Sequence, residues 1–129
     1  MSARVPTADP HGTGVQQHVL AAVASAPTAH GDYAVHVGVT HLLSGARTDE
    51  LRHEVPEAVV VTEGALEMWL DGVRSEIRAG EHLVIPARAW HRFANATGSG
   101  ASMVFAFGGD PAPVTQRREP EPLTAGELR

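Results

Sequence analysis

From residue 33 onward glycine cuts the chain into short β-like runs, and this punctuation restricts the fold to an all-β barrel or sandwich. Residues 33–43 alternate, with Val35, Val37, Val39, His41 and Leu43 expected on the core-facing side. Residues 58–62 are a β-branched run, and 65–70 follow Gly64. Asp71-Gly72 is a strong two-residue hairpin signal that returns 73–78 antiparallel to 65–70. Residues 83–85, 90–94 and 102–107 complete the set. No internal repeat is visible, which argues for one barrel and not a fusion of two.

The flanks read differently. Residues 1–32 are expected to form an arm with a short helix over 15–26, because Val15, Val19, Ala22, Val23 and Ala26 share a helical face. Pro27 would end that helix. Residues 33–109 are the expected barrel. The Pro-rich, charged stretch 110–129 is expected to be a flexible tail. At 129 residues the chain has the length of one domain.

Composition excludes several functions. A formal net charge of −5 lacks the basic field that a general nucleic-acid or anionic-membrane binder needs. There is no cysteine, so disulfides, thiolate catalysis and Cys-containing metal sites are absent. All ten basic residues are arginine, which removes lysine Schiff-base chemistry and suggests a GC-rich, bacterial coding background. No apolar run reaches membrane-spanning length. Ala24-Ser25-Ala26 resembles a signal-peptidase site, but its apolar core is short and lacks a basic cluster. The expected location is therefore cytoplasmic.

Two ordered sets of residues carry the chemistry. In the first, five residues separate Gly45 from Leu51, one separates Leu51 from His53, three separate His53 from Glu57, and six separate Glu57 from Gly64. In the second, five residues separate Gly80 from Pro86, two separate Arg88 from His91, and three separate His91 from Asn95. Together they resemble the two motifs of the cupin superfamily. Leu51 departs from the family pattern, which usually has histidine there, and Arg88 departs where glycine is usual. The resemblance covers roughly residues 33–107 and implies a double-stranded, jelly-roll β-barrel.

Residues two apart on a strand point the same way. Leu51 and His53 therefore project together if their segment is extended, Glu57 shares a face with Val59 and Val61, and His91 shares one with Phe93 and Asn95. A barrel brings such faces together around one cavity. His53, Glu57 and His91 are the expected metal ligands and catalytic groups. Two imidazoles and a carboxylate suit one divalent ion, Fe, Mn, Ni, Zn or Cu, with coordination positions left open. Without metal the three would serve as acid, base or hydrogen-bonding groups. Leu51, Val59, Val61, Phe93, Arg88 and His41 are the expected pocket. Arg88 would contact an anionic substrate group or stand in solvent, and His41 would be a substitute ligand or a hydrogen-bonded core residue. His36 and His82 are expected at the surface or rim. Trp69, Trp90 and Tyr33 are read chiefly as packing residues.

The resemblance implies a small metal-dependent enzyme acting on a small organic molecule inside the barrel, as an isomerase, lyase, cyclase or dioxygenase. A step in a bacterial biosynthetic or catabolic pathway fits the coding background, and small cupins commonly form homodimers. The alternative is a non-catalytic module that binds a small ligand, which the loss of histidine at Leu51 favours.

Overall fold

Alternation after residue 33 gives most strands two distinct faces, and the computed structural model packs the inward faces of two sheets against one another. It describes residues 14–21, 26–28, 31–33, 35–108 and 114–119, with side chains at 14, 15, 35–108 and 114–119. The strands are β1 (Val15–Ala21), β2 (Ala26–Thr28), β3 (Gly31–Tyr33), β4 (Val35–Leu42), β5 (Glu50–His53) and β6 (Glu57–Glu63). They continue as β7 (Ala65–Leu70), β8 (Val73–Arg78), β9 (His82–Ile85), β10 (His91–Ala94), β11 (Ala101–Gly108) and β12 (Thr115–Arg118). Among the described residues there is no helix.

Two five-stranded antiparallel sheets carry the core between them, in the orders β1-β4-β11-β6-β9 and β12-β5-β10-β7-β8. Consecutive strands repeatedly change sheet, which is the jelly-roll pattern. Leu42, Val59, Val61, Ile85 and Phe105 enter from the first sheet, and Leu66, Met68, Ile77 and Phe93 from the second. Asp71 (φ 47°) and Gly72 (φ 82°) form the expected tight hairpin between β7 and β8. Its tip is tied to the start of β10. The Asp71 N–H donates to the Trp90 carbonyl at 2.8 Å, and the Trp90 N–H donates to Asp71 Oδ1 at 2.9 Å.

Gly64, which closes the first motif, has φ 73°, and a Cβ there would lie 2.7 Å from the Gly100 carbonyl oxygen. Glycine is required by both backbone and space. Asn95, which closes the second, is fully buried and pins its own loop to the end of β4. Its Nδ2 donates to the carbonyls of Leu42 and Ser99, and its Oδ1 accepts from the Thr97 N–H and hydroxyl.

Three expectations need correction. Residues 15–21 of the expected helix are strand β1, which pairs along β4 from Val15↔Leu42 to Ala21↔Val37. Valine is a poor helix former, and pairing satisfies an edge of β4 that would otherwise be open. Pro27 lies in β2 and does not end a helix. Residues 1–13, 22–25 and 29–30 of the expected arm lie outside the described residues.

The inward face of β4 is also the reverse of the one expected. His36, Thr40 and Leu42 are buried with Gly38, while Val35, Val37, Val39 and His41 face outward. The neighbouring β11 explains this. It sends Met103, Phe105 and Phe107 inward, directly opposite Thr40, Gly38 and His36. Large side chains from one strand fill the space above small ones on the next, and a valine opposite Phe105 would overfill the core.

Finally, part of the expected tail is strand β12, which pairs with β5 through four residues, Thr115↔His53 to Arg118↔Glu50. Residues 109–113 and 120–129 lie outside the described residues. The strand is fastened by polar contacts, which is why no apolar alternation announced it. Arg118 reaches Glu50 at 3.3 Å and stacks 3.9 Å over the Trp90 ring. Arg52 bonds Gln116 and lies over the Trp90 ring as well, 4.7 Å from its centroid.

Ending the chain before Thr115 removes the ladder and both Trp90–Arg118–Glu50 contacts. It should cost about 2 kcal/mol, allowing for the half-exposed arginine, and lower the thermal midpoint by roughly 5–10 °C. An unchanged midpoint would show that β12 contributes nothing.

Candidate metal centre

Three neighbouring strands of the two sheets bring the motif residues together. His53 ends β5, Glu57 begins β6, and His91 begins β10, and all three side chains are buried. One ligand atom from each lies within 4.8 Å of the others. Glu57 Oε1 stands 3.1 Å from His53 Nε2 and 3.4 Å from His91 Nε2. These approaches are close but not aligned as hydrogen bonds, and Oε1 is the buried side-chain polar atom among the described residues that has no hydrogen-bond partner. A buried, unpartnered carboxylate oxygen is costly, and a cation between it and the two ring nitrogens would satisfy all three.

The opposite ring nitrogens set the tautomers. His91 Nδ1 is 3.0 Å from the Ala89 carbonyl oxygen, which only accepts, so Nδ1 carries a proton and Nε2 is left to face Glu57 or a cation. His53 Nδ1 is 3.0 Å from Thr115 Oγ1. Burial pushes the Glu57 carboxyl up, but the adjacent His53 and His91 imidazoles together pull it further down. The net position is below the ordinary carboxylate value. The side chain is thus an anion at neutral pH, as a metal ligand must be. The donor set and its geometry fit a divalent cation.

The remaining pocket residues divide. Leu51 lies directly across the β5–β10 pair from His91 and on the same face as His53. Val59, Val61 and Phe93 are buried inward on β6 and β10. His41 is not at the site. It faces outward on β4, where Nδ1 pairs with Ser102 Oγ at 2.6 Å, because β4 presents its even-numbered residues to the core. Arg88 is not in the pocket either. Its side chain is 75% exposed and its Nε donates to Glu54 Oε2 at 3.0 Å, since the positive-φ turn turns it to solvent.

Three residues that the spacing did not point to surround the site: Thr115 and Phe107 contact His53, and His36 lies behind Phe107. His36 is buried on the inward face of β4, stacked on Phe107 with ring centroids 5.2 Å apart. Phe107 stacks in turn on His53 at 5.3 Å. The alternation of Ala101, Met103, Phe105 and Phe107 was the available signal for Phe107. His36 follows only once the pairing of β4 with β11 is known. Thr115 had no signal, because Thr-Gln-Arg-Arg carries no apolar pattern.

Residues 38–107 match the family described as Cupin domain. That is more than half of the chain, which belongs to this family. Among curated proteins it is similar to Protein SchB of Streptomyces halstedii, 39% identical over 83 residues, which are 64% of this chain and 60% of that protein. It is also similar to Polyketide synthase CurC of Streptomyces cyaneus, 38% identical over 80 residues, 61% of this chain and 52% of that one. The matched stretch is therefore under two thirds of either relative's length. Among solved structures the polyketide cyclase RemF of Streptomyces resistomycificus superposes with a TM-score of 0.61 at 18% identity, over 87% of this chain and 74% of that chain. At that identity the likeness is one of fold. No helix among the described residues is long and apolar enough to cross a membrane.

Arg88 holds φ at 67°, the left-handed region where an L side chain costs about 1–2 kcal/mol, and its N–H donates to the His53 carbonyl at 2.7 Å. Glycine, usual in the family at this position, keeps that backbone bond without the strain. Arg88→Gly should raise stability by about 0.5–1 kcal/mol, after the greater entropy of unfolded glycine and loss of an exposed ion pair are subtracted. Chemical denaturation measures it. A destabilised variant would mean that the Glu54 pair outweighs the strain.

Proposed function

We propose that this cupin is a metal-dependent enzyme of bacterial polyketide metabolism, acting on a small organic molecule at the end of the barrel that holds His53, Glu57 and His91. The observation that carries the metal is Glu57 Oε1, buried without a hydrogen bond and facing two ring nitrogens. The substrate class is taken from CurC, a polyketide synthase protein by name, with the shared fold of a polyketide cyclase in support. Among reactions of that class, ring closure of a polycarbonyl chain suits the site best.

In this reading His53, Glu57 and His91 hold one divalent cation, and three protein ligands leave positions for solvent or a substrate oxygen. The bound cation supplies Lewis acidity toward a carbonyl oxygen. Leu51, opposite His91, walls the side where the family usually has a further histidine. Val59, Val61 and Phe93 keep water from the buried side of the ligands. Phe107, stacked on both His53 and His36, adds apolar surface beside the ligands. His36 stacks on Phe107 and supports that side of the pocket from behind the aromatic ring.

Leu51 also supports a second reading, a binding module that holds a small molecule without turning it over. Mass spectrometry of a polyketide intermediate incubated with metal-loaded protein separates the two. The enzyme reading expects a cyclised product that His91→Ala abolishes. Unchanged substrate that nevertheless stays bound favours the module.

Metal binding is tested without any substrate. His53→Ala and His91→Ala should each lower metal content after chelation and reconstitution by at least tenfold, measured by elemental analysis. Equal content in both variants and the wild type places the metal elsewhere. Leu51→His should tighten binding, because its side chain shares a face with His53 and adjoins His91. An unchanged affinity in a folded Leu51→His variant means that Leu51 does not reach the ion.

A further inference from the structure

We infer that Thr115, on the C-terminal strand, is a positioning residue for His53, and that β12 is a working part of the metal centre and not merely an edge of the sheet. The inference rests on the metal reading above for its consequence, but its geometry stands independently.

The strand that carries His53 is held chiefly by β12. With β10, β5 shares one paired position, His91↔Leu51, whereas with β12 it shares four. The register sets Thr115 directly opposite His53, on the same inward face, and their side chains meet at 3.0 Å between Oγ1 and Nδ1. A histidine that offers Nε2 to a metal must carry its proton on Nδ1, so Thr115 Oγ1 accepts from the His53 Nδ1–H. His91 has the equivalent acceptor in the Ala89 carbonyl, a backbone group inside the barrel motif. His53 has none from the barrel among the contacts described, and its acceptor arrives from more than sixty residues away in sequence.

β12 is in turn clamped to β5 and to the residue that leads into β10. Arg118 pairs with Glu50 on β5 and stacks on Trp90, the residue before His91. Gln116 accepts from the Arg52 Nε–H at 2.7 Å, again on β5. The outer contacts of β12 thus fix the height and register of the strand, and the inner Thr115 hydroxyl fixes the ring plane of His53. Loss of the hydroxyl leaves the imidazole free to rotate or to hold its proton on Nε2, and either change removes a ligand lone pair.

The test compares full-length wild type, Thr115→Val and Thr115→Ser by two measurements. Co(II) titration followed by its visible absorption reads ligand geometry, and nitrogen-15 NMR of the metal-free protein reads the His53 tautomer. Thr115→Val should weaken Co(II) binding by about 10–100-fold and alter the absorption bands, the usual effect of removing a partner of a ligating histidine. Thr115→Ser, which keeps the hydroxyl, should stay within a few-fold of wild type with unchanged bands. The metal-free wild type and Thr115→Ser should show His53 protonated on Nδ1, and Thr115→Val should lose that preference. Valine binding Co(II) as wild type does, with the Nδ1–H tautomer intact, overturns the inference. So does a wild-type His53 that lacks a proton on Nδ1. Should wild type bind no Co(II), the metal reading fails by itself, and the tautomer comparison still decides the role of Thr115.

Discussion

A carboxylate taken out of water must be met by donors or by a cation, and in this protein Glu57 is met by neither hydrogen bond nor solvent at Oε1. Its charge persists because two imidazoles stand within 3.1 and 3.4 Å and outweigh the cost of burial. That arrangement constrains the rest. The rings must turn their Nε2 atoms inward, so each needs an acceptor behind it, and the strands bearing them must not slip by one residue, which would reverse every side chain. The Ala89 carbonyl, Thr115 and the paired registers of β5, β10 and β12 meet these demands.

The barrel around the site works by size complementarity. β11 contributes Met103, Phe105 and Phe107, and β4 answers with Thr40, Gly38 and His36. The consequence is chemical as well as steric, because the same pairing turns an imidazole inward and stacks it on Phe107 beside His53. On the opposite side of the second sheet, two tryptophans are covered by arginines. Arg92 lies 3.8 Å over Trp69, and Arg118 and Arg52 contact Trp90. These stacks allow a chain with no lysine to cover aromatic surface with guanidinium groups, which are planar and less strongly hydrated than an ammonium.

Much of this was legible in the chain. The Asp71-Gly72 turn, the run of short strands and the spacings of the two motifs placed β6 to β11 closely and selected His53, Glu57 and His91. Those signals are local, since a hairpin turn and a two-residue alternation need only a few neighbours to be meaningful. Where local signals compete, the neighbouring strand decides between them. Val15, Val19 and Ala22 have helical spacing, yet the backbone of 15–21 is more valuable as a partner for β4. Val35, Val37 and Val39 look like a core row, yet β-branched residues suit either face of a strand, and the neighbour decides which face has room.

The sequence by itself determined the class of fold and the three residues able to share a cation, because turn chemistry and side-chain alternation act over short distances along the chain. The tertiary structure decided the face of β4, the recruitment of His36 and Phe107, the exposure of Arg88 and the return of Thr115 to His53. Each of these depends on the register between strands far apart in sequence, and register is settled by the packing of the whole core and the closure of its edges.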